Sequence, residues 1–357
     1  MQLNAIFRFL SVCLIALTVL IYNFGSAIKI NTTEEFKTVK NNAVINFGNS
    51  DFLTENSIKD TKKVDSPKES EKEEKSTEKE ENKAESTTQV SAAAVKGNIK
   101  EQYISPYSAG LSYNNVYVKN STGLDINLKT LLSGNLGYKI EKNTEPQVLI
   151  MHTHTTETYV NDDSGVYRED YTSRTTDNSK NMAEIGRIIA EKLNKEGIKT
   201  LHDTTQHDYP QYSGSYTRSA KTVNSYLKKY PSIKIVLDLH RDAISAGGND
   251  KVKLVTEING KKAAQVMLVM GSQSGSVTNF PNWKENLKLA LKLQQTMEVK
   301  YPTLARPLSL MSKNYNQSLS NGSLLIEFGT DANSLEEAKY SAELVGESLI
   351  TLLNNLG

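Results

Sequence analysis

From about residue 148 onward, short apolar runs rich in β-branched residues alternate with longer segments whose apolar residues recur at a helical period. The short runs, at 148–152, 199–202, 233–239, 252–258, 266–270, 308–311 and 324–328, read as buried strands. The segment 178–194 carries Met182, Ile185, Ile188, Ile189 and Leu193 on one stripe, and Gly197 follows as a stop. Further helices are expected at 215–229, ending before Pro231, at 283–299, ending before Pro302, and at 334–353, which opens on Ser-Leu-Glu-Glu, a capping box. Asn259-Gly260 between two strand-like runs signals a hairpin. Strands interleaved with helices predict an α/β fold: a three-layer sandwich with a mostly parallel twisted sheet flanked by helices, carrying one antiparallel hairpin. No internal repeat is visible.

The first hundred residues follow other rules. Residues 9–25 are nearly all apolar and uncharged, with Arg8 just before them. The run is short for a membrane span and long for a signal-peptide core, so residues 1–27 read as a retained single-pass anchor or a cleaved signal, the anchor being preferred. Either way the remainder is expected to be exported. Residues 28–53 are weakly patterned. Residues 54–100 are dominated by Lys, Glu, Ser and Thr, with almost no large apolar side chains. They cannot bury enough surface to offset the entropy of ordering, so a disordered linker is expected, which would give a tethered domain reach from a bilayer. Residues 101–357 are globular in composition and long enough for one α/β domain.

Formal net charge is +1, so no overall attraction to nucleic acid is implied. The one cysteine, Cys13, lies in the N-terminal apolar run. A disulfide framework, a Cys-rich zinc module and cysteine catalysis are therefore excluded. Gly271-Ser-Gln-Ser-Gly275 has Gln273 where a nucleophile elbow needs serine.

Candidate chemistry gathers at the strand ends. Of five histidines, three lie in VLIMHTHTTETY (148–159) and IVLDLHRDA (235–243), and a third strand, SLLIEFGTDAN (323–333), carries Glu327. Histidines and carboxylates from separate strand ends are what an open catalytic Zn2+ site requires. His154 and Glu157 have H-x-x-E spacing, a weak signal alone. His152 and His154 share a face if the chain there is extended, so either one, or both, would reach a metal. His240, ending a buried run, is the stronger ligand candidate. Arg241 suits a substrate carboxylate or an ion pair behind the site, and Asp238 needs a partner if buried. Asp177, just ahead of the 178–194 segment, is read as either a helix N-cap or a third metal ligand, in competition with Glu157. Glu327, flanked by Ile326 and Phe328, is expected to have a raised pKa and to act as general base, or else to pair with Arg241. The segment HDYPQYSGSYTRS (207–219), dense in tyrosine, reads as a substrate-facing surface offering His207, Tyr212 and Arg218, whereas His202 reads as structural.

HTHTTETY, HDYPQYSGSYTRS, PSIKIVLDLHRDA and LLIEFGTDANSLEEAKYSAE, in that order, resemble the stage II sporulation protein P family over roughly residues 105–357. That family is similar to the zinc-dependent N-acetylmuramoyl-L-alanine amidases. The resemblance implies a membrane-anchored peptidoglycan hydrolase, an amidase that is also an endopeptidase on stem-peptide crosslinks. It would act in septal remodelling and engulfment during sporulation, from the mother-cell membrane facing the septal wall, with other wall hydrolases and membrane proteins as partners. Carried across residue by residue, it implies His154 or His152 as first ligand, Asp177 at the helix-opening acid (a glutamate in the wider family), His240 as second histidine and Glu327 as catalytic glutamate. A reading from another class is a noncatalytic wall-binding module that recruits a partner hydrolase.

Overall fold

The computed structural model of the chain describes residues 93–142 and 145–356. The anchor segment, residues 28–53 and nearly all of the expected linker lie outside the described residues. No helix among the described residues is long and apolar enough to cross a membrane.

In chain order the elements are β1 (Val95–Gln102), β2 (Leu111–Tyr113), β3 (Val116–Asn120), α1 (Leu128–Ser133), β4 (Val148–Met151), β5 (Val166–Arg168), α2 (Met182–Lys195), β6 (Thr200–His202), α3 (Ser215–Lys229), β7 (Ile235–Asp242), β8 (Ser245–Gly247), β9 (Asp250–Ile258), β10 (Lys261–Ala264), β11 (Val266–Gly271), α4 (Trp283–Lys300), β12 (Leu308–Met311), β13 (Ser323–Thr330) and α5 (Leu335–Asn354). Eight strands form the principal sheet in the order β2-β3-β12-β11-β13-β7-β4-β6. Its central block β13-β7-β4-β6 is parallel, while β13 meets β11 and β3 meets β2 antiparallel. A second sheet runs β10-β9-β1-β5, with β8 on β9. Only its β1–β9 pair is parallel. The expectation of a mostly parallel sheet is thus corrected: there are two sheets, and both are mixed. In the second sheet β9 and its hairpin follow the pattern, whereas β1, β5 and β8 escaped notice because they are short or solvated. In β1, for example, Gly97 alone is buried. β1 also carries the ordered fold back to residue 95, into the stretch whose composition read as linker.

Alternation along the strands sorts side chains onto two faces. Val148 and Ile150 of β4, Ile235, Leu237 and Leu239 of β7, and Leu324, Ile326 and Phe328 of β13 point into the main core with Ile185, Ile189 and Leu193 of α2, Leu287 and Leu291 of α4, and Leu349 and Leu353 of α5. Leu149, Met151 and Val236 point the other way and pack with Val223 of α3. By the same parity Asp238, His240 and Glu327 project on the α3 side, at the C-terminal end of the parallel block. That is where α/β sheets build their sites.

The helix boundaries are locally encoded. At Ser334 the hydroxyl accepts from Glu337 N and the Glu337 carboxylate accepts from Ser334 N, a complete capping box. Asn259 and Gly260 both take positive φ at the β9–β10 turn, as a two-residue hairpin demands. α2 starts four residues later than its pattern suggested. Its cap is Asn181, whose side chain accepts from Ala183 N at 2.9 Å. Asp177 instead turns the preceding loop by accepting from Ser179 N and Oγ.

Candidate metal centre and active site

Past Met151 the chain leaves the extended conformation and makes a turn, in which Glu157 N donates to His154 O at 3.2 Å. An i, i+3 spacing in a turn brings the two side chains together, which is why H-x-x-E works here. The turn is pinned from below. Asp238 accepts from Thr153 N (2.8 Å) and Thr153 Oγ1 (2.7 Å), and Asp208 accepts from Thr156 Oγ1 (2.6 Å). The neighbouring strand β7 then contributes His240.

His154 Nδ1 lies 3.5 Å from Glu157 Oε1, and His240 Nδ1 lies 3.5 Å from Glu157 Oε2. One donor atom from each of His154, Glu157 and His240 falls within 4.8 Å of the others, and all three residues are buried. Zinc bonds of about 2.0–2.2 Å from a tetrahedral set require donors roughly 3.3–3.5 Å apart. The two imidazoles and one carboxylate therefore fit such an ion in donor type, and each histidine stands at that spacing from the Glu157 carboxylate. Behind His240, Asp238 Oδ1 lies 2.8 Å from Nε2, so Nδ1 is the nitrogen turned toward Glu157. A carboxylate on the far nitrogen orients an imidazole and raises its basicity.

Electrostatics reinforce the assembly. Burial would raise the Glu157 pKa, but Arg241, His154 and His240 hold it well below the usual range. The Arg241 backbone N donates to Glu157 Oε2 at 3.2 Å, and its guanidinium donates to the Thr158 and Ser173 carbonyls. Burial would lower His240, but Asp238 and Glu157 raise it well above the ordinary value.

Glu327 is the direct cross-strand neighbour of His240 in the β13–β7 ladder. Burial, opposed by His240 and assisted by Asp242 and Glu157, pushes its pKa up to about 8. Its Oε2 is buried without a hydrogen-bond partner among the described residues. Arg306, almost fully buried, is held at Nη1 by Asp242 Oδ2 at 3.0 Å, and its positive charge also acts on Glu327.

The other candidates are distributed differently. Asp177 stays at the surface with Ser179 and Lys180, away from the His–Glu–His group. His152 is not on the face of His154, because the turn breaks the alternation. Its Nδ1 is 3.2 Å from Leu239 O and its Nε2 2.9 Å from His202 Nε2. His207 is buried rather than substrate-facing, its ring placed between His152 O and Thr222 Oγ1. Arg218 donates to the carbonyls of His207, Gln211 and Ser213. Tyr212 does reach the site: its ring stacks on His154 with centroids 4.7 Å apart, and Arg174 lies over the same ring at 4.6 Å. Arg174 in turn pairs with Asp208 at 2.5 Å and approaches Glu157 at 3.7 Å. Sequence reasoning passed over Arg174, Asp208, Tyr216 and Arg306. Asp238 was within reach, since strand parity places it beside His240.

These features define a mixed α/β protein with a buried His–Glu–His group and a desolvated glutamate at the end of its parallel strands. The family model for stage II sporulation protein P (SpoIIP) matches residues 26–350, and the chain belongs to that family. Stage II sporulation protein P of Bacillus subtilis (strain 168) is 30% identical over 213 residues, 56% of this chain and 49% of that protein. The chain thus spans about half the length of that relative. Distant likenesses to solved structures include the apo N-acetylmuramyl-L-alanine amidase Ami1 of Mycobacterium abscessus (TM-score 0.35, 13% identity, covering 58% of this chain and 99% of that one). An N-acetylmuramoyl-L-alanine amidase of Clostridium difficile 630 gives a TM-score of 0.33 with 18% identity, over 60% of this chain and 100% of that one. The CwlD amidase of Clostridioides difficile, solved in complex with the GerS lipoprotein, gives 0.34 with 10% identity, over 59% and 98%.

Proposed function

We propose that this protein is a peptidoglycan hydrolase of sporulation, a zinc-dependent N-acetylmuramoyl-L-alanine amidase that also cleaves stem-peptide crosslinks. The observation that carries the reading is the convergence of His154, Glu157 and His240, with Glu327 beside His240 in register. Family membership supports the sporulation role and the wall as substrate. His154 Nδ1, His240 Nδ1 and the Glu157 carboxylate would hold Zn2+, which when bound supplies Lewis-acid polarisation of the scissile carbonyl.

The remaining chemistry belongs to the chain's own side chains. Glu327 takes a proton from the attacking water as oxygen adds to the carbonyl carbon, then passes it to the leaving nitrogen as the C–N bond breaks. A carboxyl raised to about 8 is basic enough to take that proton and acidic enough to return it near neutral pH. Asp238 holds the His240 ring, and Arg241 holds the Glu157 carboxylate. Tyr212 and Arg174 form one wall of the approach over His154.

Residues 1–27 would anchor the protein in the membrane, and the stretch from residue 54 to just short of β1 would tether the hydrolase domain across to the wall.

The test is digestion of purified sacculi by the full-length chain, with mass spectrometry of the products. The reading requires stem peptides released with a free L-alanine amino group from lactyl-ended glycan. Binding of sacculi without bond cleavage by the zinc-supplied chain would instead indicate a noncatalytic wall-binding module.

A further inference from the structure

The polar groups at the heart of the candidate centre are engaged with one another. His154 Nδ1 and His240 Nδ1 face the Glu157 carboxylate, and His240 Nε2 faces Asp238. Amide hydrolysis places new negative charge on the carbonyl oxygen, and a preorganised donor aimed at that oxygen speeds the step. Alongside the polarisation that bound Zn2+ would supply, a donor from the chain to that oxygen would have to be a group not already engaged.

Tyr216 is that group. Its Oη is buried without a hydrogen-bond partner among the described residues. Its ring meets His154 edge to face, with centroids 5.6 Å apart and planes at 80°. His154 in turn lies edge-on to His240, with centroids 5.0 Å apart, so Tyr216 borders the group. A buried hydroxyl left without a partner is unfavourable, so a native one calls for a ligand or a water. A phenol keeps its proton at neutral pH, so the group donates.

Its placement is rigid. Tyr216 sits in the first turn of α3, on the face of the sheet that carries His240 and Glu327. Ser215 Oγ fastens that turn to Tyr212 O at 2.5 Å, and the Tyr216 carbonyl accepts from Asn316 Nδ2 at 2.7 Å. A donor fixed on a helix and braced from a second loop loses little entropy when it engages substrate. Arg306 also has spare N–H groups, but its guanidinium is tied to Asp242 and makes no contact with either histidine among the contacts described.

We propose that Tyr216 is a catalytic residue whose hydroxyl donates a hydrogen bond to the scissile carbonyl oxygen as water adds to the carbon. No proton is transferred from it: the C=O π pair moves onto oxygen, is held by the Tyr216 O–H, and re-forms the carbonyl when the C–N bond breaks. The proposal rests on the amidase reading and deepens it.

The experiment uses zinc-supplied full-length wild type, Tyr216→Phe and Tyr226→Phe on a soluble muramoyl-peptide fragment, with zinc content and circular dichroism measured on each. Loss of an oxyanion donor costs about 10²–10³ in kcat. Tyr216→Phe is expected to keep its fold, its zinc and a KM within a few-fold of wild type, while kcat falls by that order. Tyr226→Phe, farther along α3 with its hydroxyl donating to Asp203 at 3.1 Å, is expected to retain kcat. A folded, zinc-bearing Tyr216→Phe with wild-type kcat overturns the proposal, as does a change confined to KM. An inactive wild type overturns the amidase reading itself, which separates the two failures.

Discussion

At the scale of single residues, neighbours divide the labour of the site. Glu327→Gln keeps shape and hydrogen bonding but cannot take the water's proton. Zinc content is expected to be unchanged while turnover falls on the order of 10²–10⁴, read as release of wall fragments by the zinc-supplied variant; near-normal release would remove Glu327 from the base's role. Glu157→Gln is expected to lower zinc affinity by orders of magnitude and Asp177→Asn to leave it unchanged, since Asp177 serves Ser179 at the surface. Competition with a chelating dye measures both. Asp238→Asn removes the carboxylate behind His240 and is expected to cost roughly 10–100-fold in zinc affinity. The sequence already singled out His240, Glu327 and the His154–Glu157 spacing, because a polar residue ending an apolar strand is visible in one dimension. The contest between Asp177 and Glu157 was not legible, since spacing alone cannot show where a loop turns. His207 read as a surface residue because its neighbours are polar; in the fold its ring is enclosed by the chain's own carbonyls and hydroxyls.

At the scale of elements, α2 lies over two histidines that face each other, His152 just past the end of β4 and His202 in β6. Gly186 makes room for them: a Cβ there would lie 2.4 Å from His202 Nε2 and 2.8 Å from His152 Nε2. In an ordinary helix Gly→Ala gains about 1 kcal/mol. Here Gly186→Ala is expected to destabilise by about 1–3 kcal/mol through overpacking, seen as a lower urea midpoint. The pair also ties stability to pH. Burial lowers His202 from 6.5 to about 4, so between those values the unfolded chain binds more protons than the folded one. The corresponding stability is present above pH 6.5 and is lost as pH falls toward 4. Urea midpoints at pH 7.5 and 5 are expected to differ less in His202→Gln than in wild type; an equal difference would show that His202 does not carry the effect. Helices and central strands were readable because period and caps agree, as at Ser334 and Asn259-Gly260. The start of α2 was not, because Asn181 and Asp177 are both good caps and only the surrounding contacts choose between them.

At the scale of the whole molecule, chemistry is concentrated on one face of one sheet, and the second sheet adds breadth around it. The layered α/β plan follows from the sequence because fully buried strands are continuous apolar runs. The mixed pairing does not follow, because a short apolar run carries no mark of its direction. Deleting residues 60–90 stops short of β1 and removes only the charged segment that composition assigns to a tether. Turnover of soluble fragments and the melting temperature of the remaining chain are expected to stay unchanged, while action on intact sacculi from a membrane-anchored form falls through lost reach. A drop in melting temperature would show that the segment packs onto the domain.

The central claim is that His154, Glu157 and His240 hold one metal ion that the hydrolysis needs. Zinc stoichiometry of the purified full-length chain beside His240→Ala, with circular dichroism to certify the fold, tests it most directly. One zinc per wild-type chain and none in a folded His240→Ala is the predicted result; equal zinc in both would contradict the account.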